Sequence, residues 1–185
     1  MTSQPSDAAS ARTDPPYTAD EATMLRAFLD YHRTTLRRKT AGLTREQLAV
    51  THPPSTLTLA GLVKHLAFVE DWWLGEVLAG VPASPPFDDE SIWEISPDWE
   101  MDSAVEDDPA ELFGLWERIV ATGDGRIDAA LDSPTGLDTV AVRGNDKTGE
   151  TATLRWILLH LIEEYARHNG HADLIRESID GATGE

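Results

Sequence analysis

Apolar residues recur at helical spacing in four stretches of the chain. In the first, from about Asp20 to Lys39, Leu25, Phe28, Leu29, His32 and Leu36 fall three or four residues apart and predict one amphipathic helix with these side chains inward. Gly42 ends that pattern, LTREQL reads as a single short helical turn, and Pro53-Pro54 forbid any continuation. A second helix starts at Thr56 or Thr58, either of which can cap it, and runs to about Ala79, where Gly80-Val81-Pro82 stops it. A third begins at Asp107-Asp108-Pro109, with Asp108 as N-cap and Pro109 in the first helical position. It carries Leu112, Leu115, Trp116, Ile119 and Val120 inward and ends near Leu131. The fourth spans about Thr153 to Ser178.

Between the second and third helices, residues 81–107 form a long, acidic crossover containing Trp and Pro. A connection of that length is a functional segment or an irregular cover. Between the third and fourth, Gly and Asn mark turns, and LDTVAV reads as a short extended piece. Four helices with one long crossover predict an all-α fold, a four-helix bundle. Residues 1–16, rich in Ser, Thr, Asp, Ala and Pro, read as a disordered tail, leaving one bundle domain over 17–185.

Three polar side chains break the apolar faces. On a wheel of about 100° per residue, Leu62, Leu66, Phe68, Val69 and Trp72 flank the direction of His65, which places His65 near the middle of the buried face. On the fourth helix Leu154, Ile157, Leu161 and Ile175 define the inward arc, and Glu164 and His168 fall inside it. These two are four residues apart and lie one above the other. Buried imidazoles and carboxylates are costly unless something pairs with them. A bound cation would offset the cost of burying Glu164. Two nitrogens and one oxygen suit zinc, nickel or iron(II) better than magnesium or calcium, and three protein ligands leave positions open for water or substrate. His65, Glu164 and His168 are therefore the expected metal ligands.

The other candidates are plainer. His160 reads as a helix-surface residue, His32 as a packed one, and His52, beside the prolines, as solvent-facing. His171 reads as a donor to a ligand, a substrate contact or an alternative ligand, and Arg176 as a contact to an anionic substrate or cofactor. Trp72-Trp73 reads as core, Trp93 and Trp99 as anchors of the crossover, and Glu106-Asp107-Asp108 as a cap.

Composition narrows the chemistry. A net charge of −18 opposes binding to a phosphate backbone. There is no apolar run long enough to span a bilayer and no apolar signal core, so the expectation is a cytoplasmic protein without membrane or nucleic-acid partners. The chain has no cysteine, so thiol chemistry here would need a thiol brought in by a cosubstrate. Neither G-x-S-x-G, nor a P-loop, nor a dinucleotide fingerprint is present. No side chain presents itself as a catalytic acid, base or nucleophile.

STLTLAGLVKHLAFVEDWW and LRWILLHLIEEYARHNGHADLIRESIDGATGE together resemble the DinB-like superfamily of metal-binding four-helix bundles. They resemble most its actinobacterial branch related to the mycothiol-dependent maleylpyruvate isomerases. The resemblance covers the chain from about Tyr17 onward. Many members carry three histidines, with H-x-x-x-H on the last helix. This chain has Glu164 at the first of those two positions, as the isomerase-like branch does. The resemblance implies an up-down-down-up bundle around zinc, with nickel or iron as alternatives, in a monomer or homodimer. It also implies thiol-dependent transfer or isomerisation using mycothiol or bacillithiol. The isomerases carry a further C-terminal domain with substrate-binding arginines; this chain ends at Glu185, so maleylpyruvate isomerisation is not expected.

The function expected from this reading is a metal-dependent mycothiol-type S-transferase acting on small electrophiles. Its rival is a non-catalytic, metal-containing stress or binding protein. A third reading, an iron(II) oxygenase, shares the ligand set but belongs on other scaffolds.

Overall fold

The computed structural model of the chain describes residues 12–183, so most of the expected tail, 1–16, lies outside the described residues. Helix α1 is Glu21–Thr40, with the Asp20 carboxylate accepting the Thr23 N–H at 3.0 Å as its cap. Helix α2 is the single turn Arg45–Leu48, closed by a capping box between Thr44 and Gln47. Helix α3 is Leu59–Glu70, capped by Thr58. Short helices α4 (Ser91–Ile95) and α5 (Trp99–Ser103) lie within the crossover. Helix α6 is Pro109–Leu131, capped by Asp108, and α7 is Leu154–Asp180, capped by Thr153 and ended by Gly181 at φ 73°. No named strand occurs among the described residues. The expected extended piece LDTVAV makes only an isolated bridge, Val140 to Thr153.

Contacts fix the directions of the long helices. Arg155 pairs with Glu21 at one end of α1 and α7, and Arg176 donates to the carbonyls of Lys39 and Ala41 at the other, so these two helices run parallel. Lys64 meets Asp107 just before α6, while Asp71 meets Arg126 further along it, so α3 and α6 also run parallel. Arg26 pairs with Asp128 and Arg37 with Glu117, which makes α1 and α6 antiparallel. The bundle is up-down-down-up.

That topology explains the long crossover. With α3 and α6 parallel, the chain must climb back the length of the bundle before α6 can start. It does so along α3. Ser84 bonds Asp71, Phe87 and Trp93 pack on Phe68, Glu100 reaches His65, and Ser103 accepts from Lys64. The closest approach is at Gly61, where an added Cβ would sit 3.1 Å from the Met101 carbonyl oxygen. As the sequence indicated, Trp93 and Trp99 anchor this cover: Trp93 stacks against Phe68, and the Lys64 ammonium sits 4.2 Å from the Trp99 ring centre.

Two local expectations are corrected. The second predicted helix does not stay α-helical: from Asp71 to Ala79 it continues as a π-helix that ends at Gly80, φ 65°. Its bonding runs from i to i+5, which changes the faces on which its side chains fall from those of an α-helical wheel. Phe28, expected inward, is exposed on α1.

The core is aliphatic at both ends and polar at its centre. Arg33 on α1 donates from Nε to Glu70 Oε1 at 2.8 Å and from Nη2 to Oε2 at 2.6 Å. The Tyr165 hydroxyl on α7 donates to the same carboxylate at 2.6 Å, and Trp116 Nε1 on α6 donates to that hydroxyl at 2.8 Å. One residue from each long helix meets here, and Glu70 and Tyr165 are fully buried. Burial opposes the Arg33 charge, but Glu70, Tyr165 and Asp124 outweigh it and raise the guanidinium pKa further. Burial and the adjacent Glu70 charge likewise raise the Tyr165 pKa, so its hydroxyl keeps its proton.

Removing one partner should be costly. Arg33→Met leaves Glu70 charged and uncompensated and should cost about 3–5 kcal/mol in urea unfolding. The double variant Arg33→Met, Glu70→Leu should lose clearly less. Equal losses in the two would show that the ion pair is not what the core depends on.

Candidate metal centre

Helices α3 and α7 cross antiparallel at His65 and His168, whose rings lie 4.9 Å apart edge to face. Glu164 sits one turn before His168 on α7, with Oε2 3.4 Å from His168 Nε2. One ligand atom from each of His65, Glu164 and His168 lies within 4.8 Å of the others. The residues singled out by periodicity on two separate helices are therefore brought together.

The outer nitrogens of both imidazoles are engaged. His65 Nδ1 lies 2.9 Å from Glu100 Oε1. An ionised carboxylate only accepts, so this contact calls for a proton on His65 Nδ1, and the neutral ring in that tautomer has its Nε2 lone pair free. His168 Nδ1 lies 3.4 Å from His171 Nδ1, and its Nε2 faces Glu164. Carboxylate partners of this kind fix the tautomer and ring orientation of metal-ligating imidazoles. Burial, followed by the neighbouring His65, His171 and Arg167, pulls the His168 pKa down to about 4. The ring is therefore neutral near pH 7, the form that binds metal.

The donor set fits a divalent cation, and one feature of the surroundings supports the fit. Glu100 is buried at 4 % exposure, and its Oε2 has no hydrogen-bond partner among the described residues. A half-satisfied buried carboxylate is expensive. A cation one imidazole away would offset that cost.

The other candidates fall as follows. His171 is half-buried beside His168. Arg176 is on α7 two turns beyond His168, with its guanidinium held by the Lys39 and Ala41 carbonyls at 3.0 Å and by Asp180; the structure does not bring it to the three-residue group. His52 is exposed and His32 half-buried, as expected. His160, expected on the surface, is instead half-buried, stacked on Trp156 at 5.1 Å and edge-on to Trp73 at 4.8 Å. Its Nε2 is 3.7 Å from Glu164 Oε1. Trp72 and Trp73, expected in the core, are half-buried on the wall of a cleft. The acidic run does cap α6 through Asp108, and Asp107 and Glu106 also pair with Lys64 and Arg45.

Sequence reasoning missed Glu100 altogether. Nothing local distinguishes it from the other acids of the crossover. The Trp156–His160–Glu164–His168 row, at four-residue steps, was a usable signal that His160 belongs with the site.

Two outcomes follow. Glu100→Gln should weaken zinc binding about 10–100-fold without loss of helicity; unchanged affinity in a competition titration would remove Glu100 from the site. In metal-free protein, a His168 pKa below its ordinary 6.5 means the unfolded state binds more protons between pH 6.5 and about 4. Stability contributed by this group should fall as pH drops through that window and level off below it. His168→Gln should show a shallower fall than the parent chain, and parallel curves would contradict the assignment.

A family model described as mycothiol S-transferase matches residues 24–181. No curated protein matches the chain. The match spans all four long helices and both halves of the three-residue group, and the all-helical bundle agrees with it. The chain belongs to the mycothiol S-transferase family.

Proposed function

We propose that this protein is a metal-dependent S-transferase that joins mycothiol to a small electrophile, with His65, Glu164 and His168 holding the metal. The observation that carries the reading is the meeting of two imidazoles and a carboxylate within 4.8 Å between α3 and α7, in a chain of this family. Zinc is the first choice for that donor set, with nickel and iron behind it. When bound, the ion supplies a Lewis acid that favours thiolate over thiol at neutral pH.

The protein's own residues do the rest. Glu100 holds the His65 ring through Nδ1 at 2.9 Å, and His171 lies beside His168 with the two Nδ1 atoms 3.4 Å apart. Glu164 contributes the single negative charge among the three ligands. The thiol sulfur forms a bond to the electrophilic carbon and its proton passes to solvent; in a displacement the leaving group departs with the bonding pair, and in an addition the π pair moves to the neighbouring atom, which takes up a proton. His171, half-buried at the edge of the group, is placed to contact the incoming thiol or the electrophile.

With no cysteine in the chain, no internal thiol competes for the ion or for the electrophile. The partial exposure of His65 and Glu164 supports an open centre over a closed, structural one. No helix among the described residues is long and apolar enough to cross a membrane.

Elemental analysis beside an activity screen tests this reading. Gently purified protein should hold about one zinc or nickel per chain. His168→Ala should lose the metal and keep its helical signal. Wild-type protein should consume mycothiol in the presence of small electrophiles, and the variant should not. A fully metal-loaded His168→Ala protein would overturn the ligand assignment. A metal-loaded wild type that leaves mycothiol unbound and unreacted would overturn the transferase reading in favour of a metal-containing binding protein.

A further inference from the structure

The carboxylate of Glu164 has an inner and an outer oxygen. Oε2 faces inward, 3.4 Å from His168 Nε2. Oε1 faces outward, 3.7 Å from His160 Nε2 and 3.8 Å from Arg167 Nη1. His160 and Arg167 lie about one turn to either side of Glu164 on α7, so both reach it along the helix surface. The last torsion of a glutamate is broad and two-fold. Left alone, the side chain could turn either oxygen, or both, toward an ion.

The two outer groups are themselves held. The His160 ring stacks on Trp156, 21° from parallel at 5.1 Å, and stands edge-on to Trp73 at 4.8 Å. Its Nδ1 lies 3.7 Å from Glu163 Oε2. The Arg167 guanidinium pairs with Glu163 Oε1. Two indoles thus fix the imidazole plane, and Glu163 ties imidazole and guanidinium together from the solvent side.

His160, Glu163 and Glu164 also bring one donor atom each within 4.8 Å, a grouping that could suit a second ion. Arg167 argues against that use. Its guanidinium already lies against both carboxylates, so the cation of this outer group is built into the chain. The group matches a different task. At 3.7 and 3.8 Å the contacts to Oε1 are electrostatic rather than hydrogen bonds, and two of them converge on one oxygen. Both favour the conformer with Oε1 outward and Oε2 inward. Partners behind a ligating carboxylate orient it and tune affinity for the ion.

We propose that His160 and Arg167 are positioning residues that hold Oε1 of Glu164 outward, so that Oε2 alone is offered to the metal. The inference rests on the ligand assignment above. A glutamate that gives one oxygen fills one position instead of two, and leaves more of the ion open to thiol or electrophile. Glu100 orients the imidazole ligand on α3 from the crossover; His160 and Arg167 orient the carboxylate ligand from within α7 itself.

The test uses full-length protein loaded with zinc or with cobalt(II). Zinc affinity is read by competition with a chromophoric chelator. Coordination is read from the visible absorption of bound cobalt(II), whose bands weaken as its coordination number rises. His160→Phe keeps a stacked ring and removes both nitrogens. It should weaken zinc binding about tenfold and weaken the cobalt bands. His160→Gln, which restores a donor, should recover most of both. Arg167→Met, at an exposed position, gives an independent check. Loss of a nearby positive charge alone would tighten zinc, whereas loss of a positioning group should weaken it. Wild-type affinity and spectrum in His160→Phe would overturn the role of His160. Unchanged or tighter zinc binding in Arg167→Met would overturn that of Arg167. Wild-type protein that takes up neither metal would instead overturn the ligand assignment itself.

Discussion

The Arg33–Glu70 ion pair is the constraint around which this bundle is organised. Both charges are buried, and each is held by more than one bond. Aliphatic packing alone is tolerant of rotation and sliding between helices. A bidentate pair is not, because a small rotation of α1 against α3 would strand a charge in the core. Tyr165 and Trp116 extend the same condition to α7 and α6. Glu70 lies one turn and a residue beyond His65 on α3, and Tyr165 lies next to Glu164 on α7. The lock thus sets the register of the two helices that carry His65, Glu164 and His168, immediately beside the place where these side chains meet.

From this register the rest of the site follows in layers. The imidazoles and Glu164 face one another across α3 and α7. The crossover, pressed along α3, supplies Glu100 behind His65. Nearer the start of α7, the π-helical end of α3 turns Trp72 and Trp73 toward Trp156, and the segment after α6 closes the space over them. The three-residue group comes from α3 and α7, whereas Glu100 and the far wall of the cleft come from the two connections packed against them. The negative net charge lies mostly outside this centre, on surfaces where Glu and Asp pair with scattered Arg or face water.

Local signals in the sequence were strong and transferred well. Asp20, Thr58, Asp108-Pro109 and Thr153 start helices because a short polar side chain bonds the free N–H groups of the first turn, and no tertiary context is needed for that. Glu164 and His168 were legible because a four-residue step is a contact in any α-helix. Glu100 was not legible, since its contact with His65 depends on the path of the entire crossover. The burial of Arg33 and Glu70 was hidden for a related reason: each reads as a surface charge until its partner is known. The tryptophan pair was misread because an α-helical wheel was applied to residues that adopt π geometry, and because the facing wall comes from a segment some seventy residues away in the chain.

The parallel arrangement of α3 and α6 has an evolutionary consequence. A connection that must climb the full length of the bundle is present in every chain with this topology, whatever its sequence. In this protein that obligatory strap carries the Glu100 carboxylate behind His65, whereas His65, Glu164 and His168 themselves sit on helices joined to the buried ion-pair network. The surroundings of His65 can therefore change with the sequence of the strap while the helices that bring His65, Glu164 and His168 together stay untouched.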